Sequence, residues 1–129
     1  MSENHRGGPE DESLTRFISS AFRSIWSLEL LLLVRSGPTH GWTQGELIEG
    51  LRASEQVLAR SIADLAGADL VRTERDLIQY APGSAGLDET VRAVAQLYAT
   101  RPATVRRLIV GGEDQLTRFA DAFRLRGGN

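Results

Sequence analysis

The sequence predicts one mostly helical domain carrying a single small β-hairpin, and three observations lead there. Apolar residues recur at three-and-four spacing through most of the chain, in runs that open at capping residues. Two short helical runs, Thr43–Leu51 and Ser54–Ala66, are separated only by Arg52-Ala53. Directly behind them, Val71–Thr73 and Leu77–Ala81 read as short strands around Glu74-Arg75-Asp76, a hairpin with a three-residue loop.

Taken in order, residues 1–12 hold Gly7-Gly8-Pro9 and an acidic triplet with no apolar residue after Met1, which predicts a disordered acidic tail. The remaining residues, 13–129, form the predicted domain. Ser13 can cap a long first helix in which Leu14, Phe17, Ile18, Ala21, Phe22 and Ile25 share a face. From Trp26 the apolar face widens through Leu30–Val34, the expected centre of the core, until Ser36-Gly37-Pro38 ends the ladder. Thr43 and Glu46 have the spacing of a capping box, in which hydroxyl and carboxylate each satisfy an orphan amide. Ser54 opens the next helix, with Leu58, Ile62, Leu65 and Ala66 facing inward and Gly67 closing it. After the hairpin, Pro82–Gly86 is a turn-rich break. Helices are then expected from about Leu87 to Ala99, from Pro102 to Val110, and beyond Gly111-Gly112, where Leu116, Phe119, Ala120 and Phe123 form an apolar stripe.

Composition narrows the function. The 129 residues suffice for one domain and leave little room for a second. No apolar run approaches the ~20 residues of a membrane span, and no signal peptide is evident, so a cytoplasmic protein is expected. Cysteine is absent, which removes disulfides, thiolate metal sites and thiol nucleophiles. Lysine is absent too, since all 15 basic residues are arginine; Schiff-base and phosphate-loop lysine chemistry go with it. His40 stands in a loop with no second histidine or fixed carboxylate in view, and Glu46 and Glu49 lie beside a cap, an unpromising acid–base pair. Gly111-Gly112 lacks the strand and lysine of a phosphate cradle. Neither catalysis, nor a cofactor, nor a metal is therefore expected. The acidity sits in residues 1–13, where four acids face Arg6, while eleven arginines face ten acids in 14–110. A near-neutral body weighs against nucleic-acid binding without excluding a locally basic face.

The stretch THGWTQGELIEGL…SEQVLARSIADLAGADLVRTERDLIQY has helix-turn-helix grammar followed by a transition into a hairpin. Over about Phe22–Ala81 it resembles the bacterial winged-helix transcriptional regulators, broadly the MarR and PadR groups. What the resemblance implies is a mostly α winged helix-turn-helix fold that binds double-stranded DNA. Ser54–Ala66 would enter the major groove and the hairpin would form the wing. Ser54 would open that helix at the DNA. Gln56 would be placed to read adenine, and Arg60 to read guanine or hold a phosphate. Thr43 and Gln44 would contact phosphate from the preceding helix start, Arg52 from the turn, and Arg72 and Arg75 from the wing.

Two features depart from a strong DNA reader: Glu55 and Asp64 outnumber Arg60 on the helix, and Glu74 and Asp76 flank Arg75. They favour an alternative, a winged-helix adaptor that binds a protein partner instead of DNA. For Arg101, Arg106 and Arg107 a solvated helix face is the simpler reading. Trp26 and Trp42 read as core or loop packing, or as the wall of a small effector pocket. Amphipathic helices at both ends of the chain suggest a homodimer formed through Leu116, Phe119 and Phe123.

Overall fold

A computed structural model of the chain describes residues 9–111. Its elements are α1 (Pro9–Ala21), α2 (Ile25–Ser36), α3 (Gln44–Leu51), α4 (Glu55–Gly67), β1 (Val71–Glu74), β2 (Leu77–Tyr80) and α5 (Ala85–Thr100), and a sixth helix, α6, covers 102–111. The fold is mostly helical with a small two-stranded antiparallel sheet. Leu116, Phe119 and Phe123 lie outside the described residues.

The expected long first helix is two helices meeting at 100°. Ser24 adopts extended backbone and caps α2, its side chain accepting from the Ser27 N–H. Phe22 is fully buried at the corner, with the Phe17 ring edge-on to it at 5.9 Å. The bend lets both halves bury their apolar faces on different partners: α1 packs on α5, and α2 on α3, α4 and β2. The start of α1 also corrects the predicted tail, because residues 9–12 are helical; Pro9 takes the first helical position, where its missing N–H loses nothing.

Around α2 the core gathers Leu28, Leu30, Leu31 and Val34 with Leu47, Leu58, Leu65, Leu70, Ile78, Val91 and Val94, all 2 % exposed or less. On α4 the inward face differs from expectation at two positions: Ser61 is buried and Ala66 is exposed. Gly67 does not close this helix either. The cap is Ala68, and Asp69 takes the left-handed position at φ 65°. The Leu70 N–H donates to Leu65 O at 3.0 Å and the Asp69 N–H to Ala66 O at 3.0 Å, a Schellman motif whose buried Leu65 and Leu70 supply its apolar contact.

In the hairpin Val71 pairs with Tyr80 and Glu74 with Leu77, so the loop is two residues, shorter than predicted. Arg75 and Asp76 both have positive φ, 55° and 65°, the primed turn whose twist matches that of the strands. A third contribution to the sheet comes from Trp42, which exchanges two backbone hydrogen bonds of 2.8 Å with Ile78. No single helix among the described residues is long and apolar enough to cross a membrane.

Candidate nucleic-acid interface

Thr43, Gln44, Arg52, Ser54 and Arg75 stand at helix ends or turns, and all eight expected contact residues are exposed. Thr43 caps α3. Its hydroxyl accepts from the Glu46 N–H at 3.1 Å while Glu46 Oε1 accepts from the Thr43 N–H at 2.9 Å, completing the capping box read from the sequence. Gln44 is the first residue of α3. The Glu46 carboxylate also lies 3.2 Å from His40 Nε2, so His40 does have a fixed carboxylate, contrary to the sequence reading. The Thr43 N–H first, and the His40 ring after it, hold the Glu46 carboxyl below its usual range. His40 in turn stands edge-on to Trp42 at 4.7 Å.

The turn between α3 and α4 is built on Arg52, whose backbone is left-handed (φ 57°, ψ 40°) and whose N–H donates to Ile48 O at 2.7 Å. Ala53 is buried beneath it, and Ser54 caps α4 by accepting from the Val57 N–H at 3.1 Å. Gln56 and Arg60 follow on exposed positions of α4, one turn apart. On the hairpin, Arg72 stands opposite Gln79, and its guanidinium lies 3.9 Å from Glu74 Oε1. Both partners are well exposed, so this pair contributes little to stability. Arg75 occupies the tip.

The structure thus gathers Arg52, Ser54 and Gln56 at the start of α4, sets Thr43 and Gln44 at the start of the adjoining α3, and leaves Arg72 and Arg75 on the hairpin that follows. Arg60 is placed differently from its neighbours: it lines a cleft at the α1–α2 corner together with Arg23, a residue that sequence reasoning missed. Nothing local marks Arg23, since its meeting with Arg60 is created by the 100° bend. Trp26 lines the same cleft, as one reading of that residue allowed. Arg106 stands over the Tyr98 ring at 5.9 Å, and the Tyr98 hydroxyl donates to Glu29 at 2.6 Å. That network joins α2, α5 and α6. Among the described residues no group of three or more acidic or histidine side chains could hold a metal ion.

No protein-family model, curated protein or solved structure matches this chain.

Proposed function

We propose that this protein is a cytoplasmic, non-enzymatic winged-helix transcriptional regulator that binds double-stranded DNA as a homodimer, with α4 as its recognition helix and β1–β2 as its wing. One observation carries the reading. Two arginines expected to meet DNA, Arg52 and Arg75, occupy left-handed backbone positions where glycine is the easier residue. Each is an exposed side chain kept at a conformational cost of about 1 kcal/mol, a pattern that belongs to functional turns more than to inert ones. The order of a short helix pair followed by a hairpin, with Trp42 bridging to the sheet, supports the same reading. Dimerisation through Leu116, Phe119 and Phe123 is part of the proposal and is tested by a Phe119→Asp, Phe123→Asp double variant, which should be a folded monomer.

The decisive experiment uses opposite signs. Arg52→Gly and Arg75→Gly should each raise unfolding stability by up to ~1 kcal/mol, because the backbone strain is relieved. Each should also weaken binding to every duplex and lower the salt dependence by about one unit per lost phosphate contact on each protomer. Gln56→Ala should instead cost ~1–3 kcal/mol on the preferred site and little on random DNA. If selection from a random duplex pool at low salt enriches no sequence, and the glycine variants gain stability with no loss of binding, the DNA reading fails. The second reading, a protein-binding adaptor, then stands. It is favoured by Glu55 at the start of α4 and by Glu74 and Asp76 around the hairpin tip, all of which oppose a phosphate backbone.

A further inference from the structure

The small sheet has one covered edge and one open edge. Trp42 covers β2 by exchanging two backbone hydrogen bonds of 2.8 Å with Ile78, so the Ile78 N–H and C=O face away from β1. Thr73, which stands opposite Ile78 in the hairpin, therefore turns its own N–H and C=O away from β2. The Ala81 N–H donates to Leu70 O at 2.9 Å, which continues the same alternation along the ladder. No described residue outside β2 bonds to either backbone group of Thr73. Arg72, Thr73 and Glu74 are all exposed, and the edge carries neither a proline nor a bulge, two of the devices that keep strand edges apart. What it carries is one charge of each sign, on either side of Thr73. Across the hairpin those charges face only Gln79 and Leu77. Among the described residues they pair only with each other along the strand, at 3.9 Å between exposed side chains.

We infer that the open edge of β1 pairs antiparallel with the same edge of a second copy of this chain, about a two-fold axis at Thr73. The two Thr73 residues then exchange both N–H···O=C bonds. Arg72 of each copy stands directly opposite Glu74 of the other, in the closely spaced positions of an antiparallel ladder. Charge selects this register. Moving the axis to residue 72 sets arginine against arginine, and moving it to residue 74 sets carboxylate against carboxylate; like charges directly opposite are destabilising. The turn begins at Arg75, so pairing stops there and the contact is small. Two backbone bonds and two exposed ion pairs suit a dissociation constant on the order of 0.1–1 mM, far weaker than interfaces of standard size give. At micromolar concentration the pairing is unpopulated, and the monomer expected of the Phe119→Asp, Phe123→Asp variant is unaffected. This inference goes beyond the DNA reading and holds whether or not the protein binds DNA.

The test is sedimentation equilibrium of the full chain, without DNA, from about 10 μM to about 1 mM. The mass should rise with concentration above its value at the lower end. That rise should vanish in Thr73→Pro, which deletes the outward N–H and no hydrogen bond of the hairpin. Arg72→Glu and Glu74→Arg should each weaken association at least about tenfold, because every pairing then holds two like-charge oppositions. An equimolar mixture of those two variants should associate again, since acids on one chain then face arginines on the other. This recovery separates pairing between chains from any change within one chain. Circular dichroism establishes that each variant is folded; if Thr73→Pro does not fold, the charge variants and their mixture decide. A wild-type chain of constant mass across the range overturns the proposal and leaves the edge to an extended segment of another protein. Folded variants that associate like the wild type overturn it too, as does a mixture no more associated than its components.

Discussion

The hydroxyl of Ser27, fully buried in α2, donates to Asp64 Oδ2 of α4 at 2.7 Å, and this single polar bond spans the most extensively packed helix pair of the core. Its two ends are unequal. Asp64 is partly exposed and can turn to water, whereas Ser27 has no other acceptor across the helix pair.

Asp64→Ala should therefore cost about 1–3 kcal/mol of unfolding free energy, because it strands a buried donor, while Asp64→Asn should cost less by retaining an acceptor. The Ser27→Ala, Asp64→Ala pair should lose less than the sum of its single variants. Urea denaturation of the four proteins measures this. Additive losses would mean that the bond contributes nothing of its own.

A second relationship joins Asp69 to Gly83. Asp69 is left-handed, its carbonyl accepts from the Gly83 N–H at 2.9 Å, and its carboxylate lies where a side chain at 83 would begin. Gly83→Ala forces the Asp69 carboxylate, the exposed end of its side chain, to turn aside, and should destabilise the fold by no more than about 1 kcal/mol. Asp69→Gly should relieve both the backbone strain and the crowding. The double variant Asp69→Gly, Gly83→Ala should accordingly melt above Gly83→Ala, and failure of this rescue would locate the cost elsewhere.

A third expectation concerns alkaline pH. The Tyr80 hydroxyl donates to Asp88 Oδ1 at 2.6 Å, and burial first, then Asp88, push the phenol up to about 12. The folded state thus holds the Tyr80 proton more tightly than the unfolded chain, whose phenol titrates near 10. The resulting stability is fully present below about pH 10 and is lost as pH rises toward 12. Since the chain has only two tyrosines, absorbance titration of a Tyr98→Phe variant reads Tyr80 alone. A midpoint near 10 in the folded protein would contradict the hydrogen bond.

How far the sequence carried depends on where the information lies. The Thr43–Glu46 capping box, the Ser54 cap and the hairpin were legible because each is specified within a few residues. The corner at 22–24 was not, because apolar spacing runs unbroken from Phe17 through Ile25 and masks the Ser24 cap inside it. Gly67 drew the end of α4 one residue early, since a glycine is the stronger local signal than the aspartate two places on that takes the left-handed turn. The loop length was misjudged for the same reason: Arg75-Asp76 is not a typical pair for a primed turn. Of the candidate sites, Arg52 and Arg75 could be placed from the sequence. The meeting of Arg23 with Arg60 and Ser61 could not, being a product of tertiary packing alone.

The bend after Ala21 also fixes an order of assembly. From the Ser27–Asp64 bond to the Trp42–Ile78 pairing, the α2–β2 region closes over separations of a few tens of residues, whereas the helix on which α1 packs most, α5, comes later in the chain, and the 3.3 Å bond from Ser19 Oγ to Leu108 O spans 89 positions. Loop-closure entropy rises with that separation, and the contacts that repay it do not exist until α5 and α6 are in place. A chain growing from its N-terminus must therefore carry the apolar face of α1 uncovered until nearly the whole described length has been made. During synthesis this is the segment most in need of shelter from aggregation, even though it is the first of the described helices to emerge.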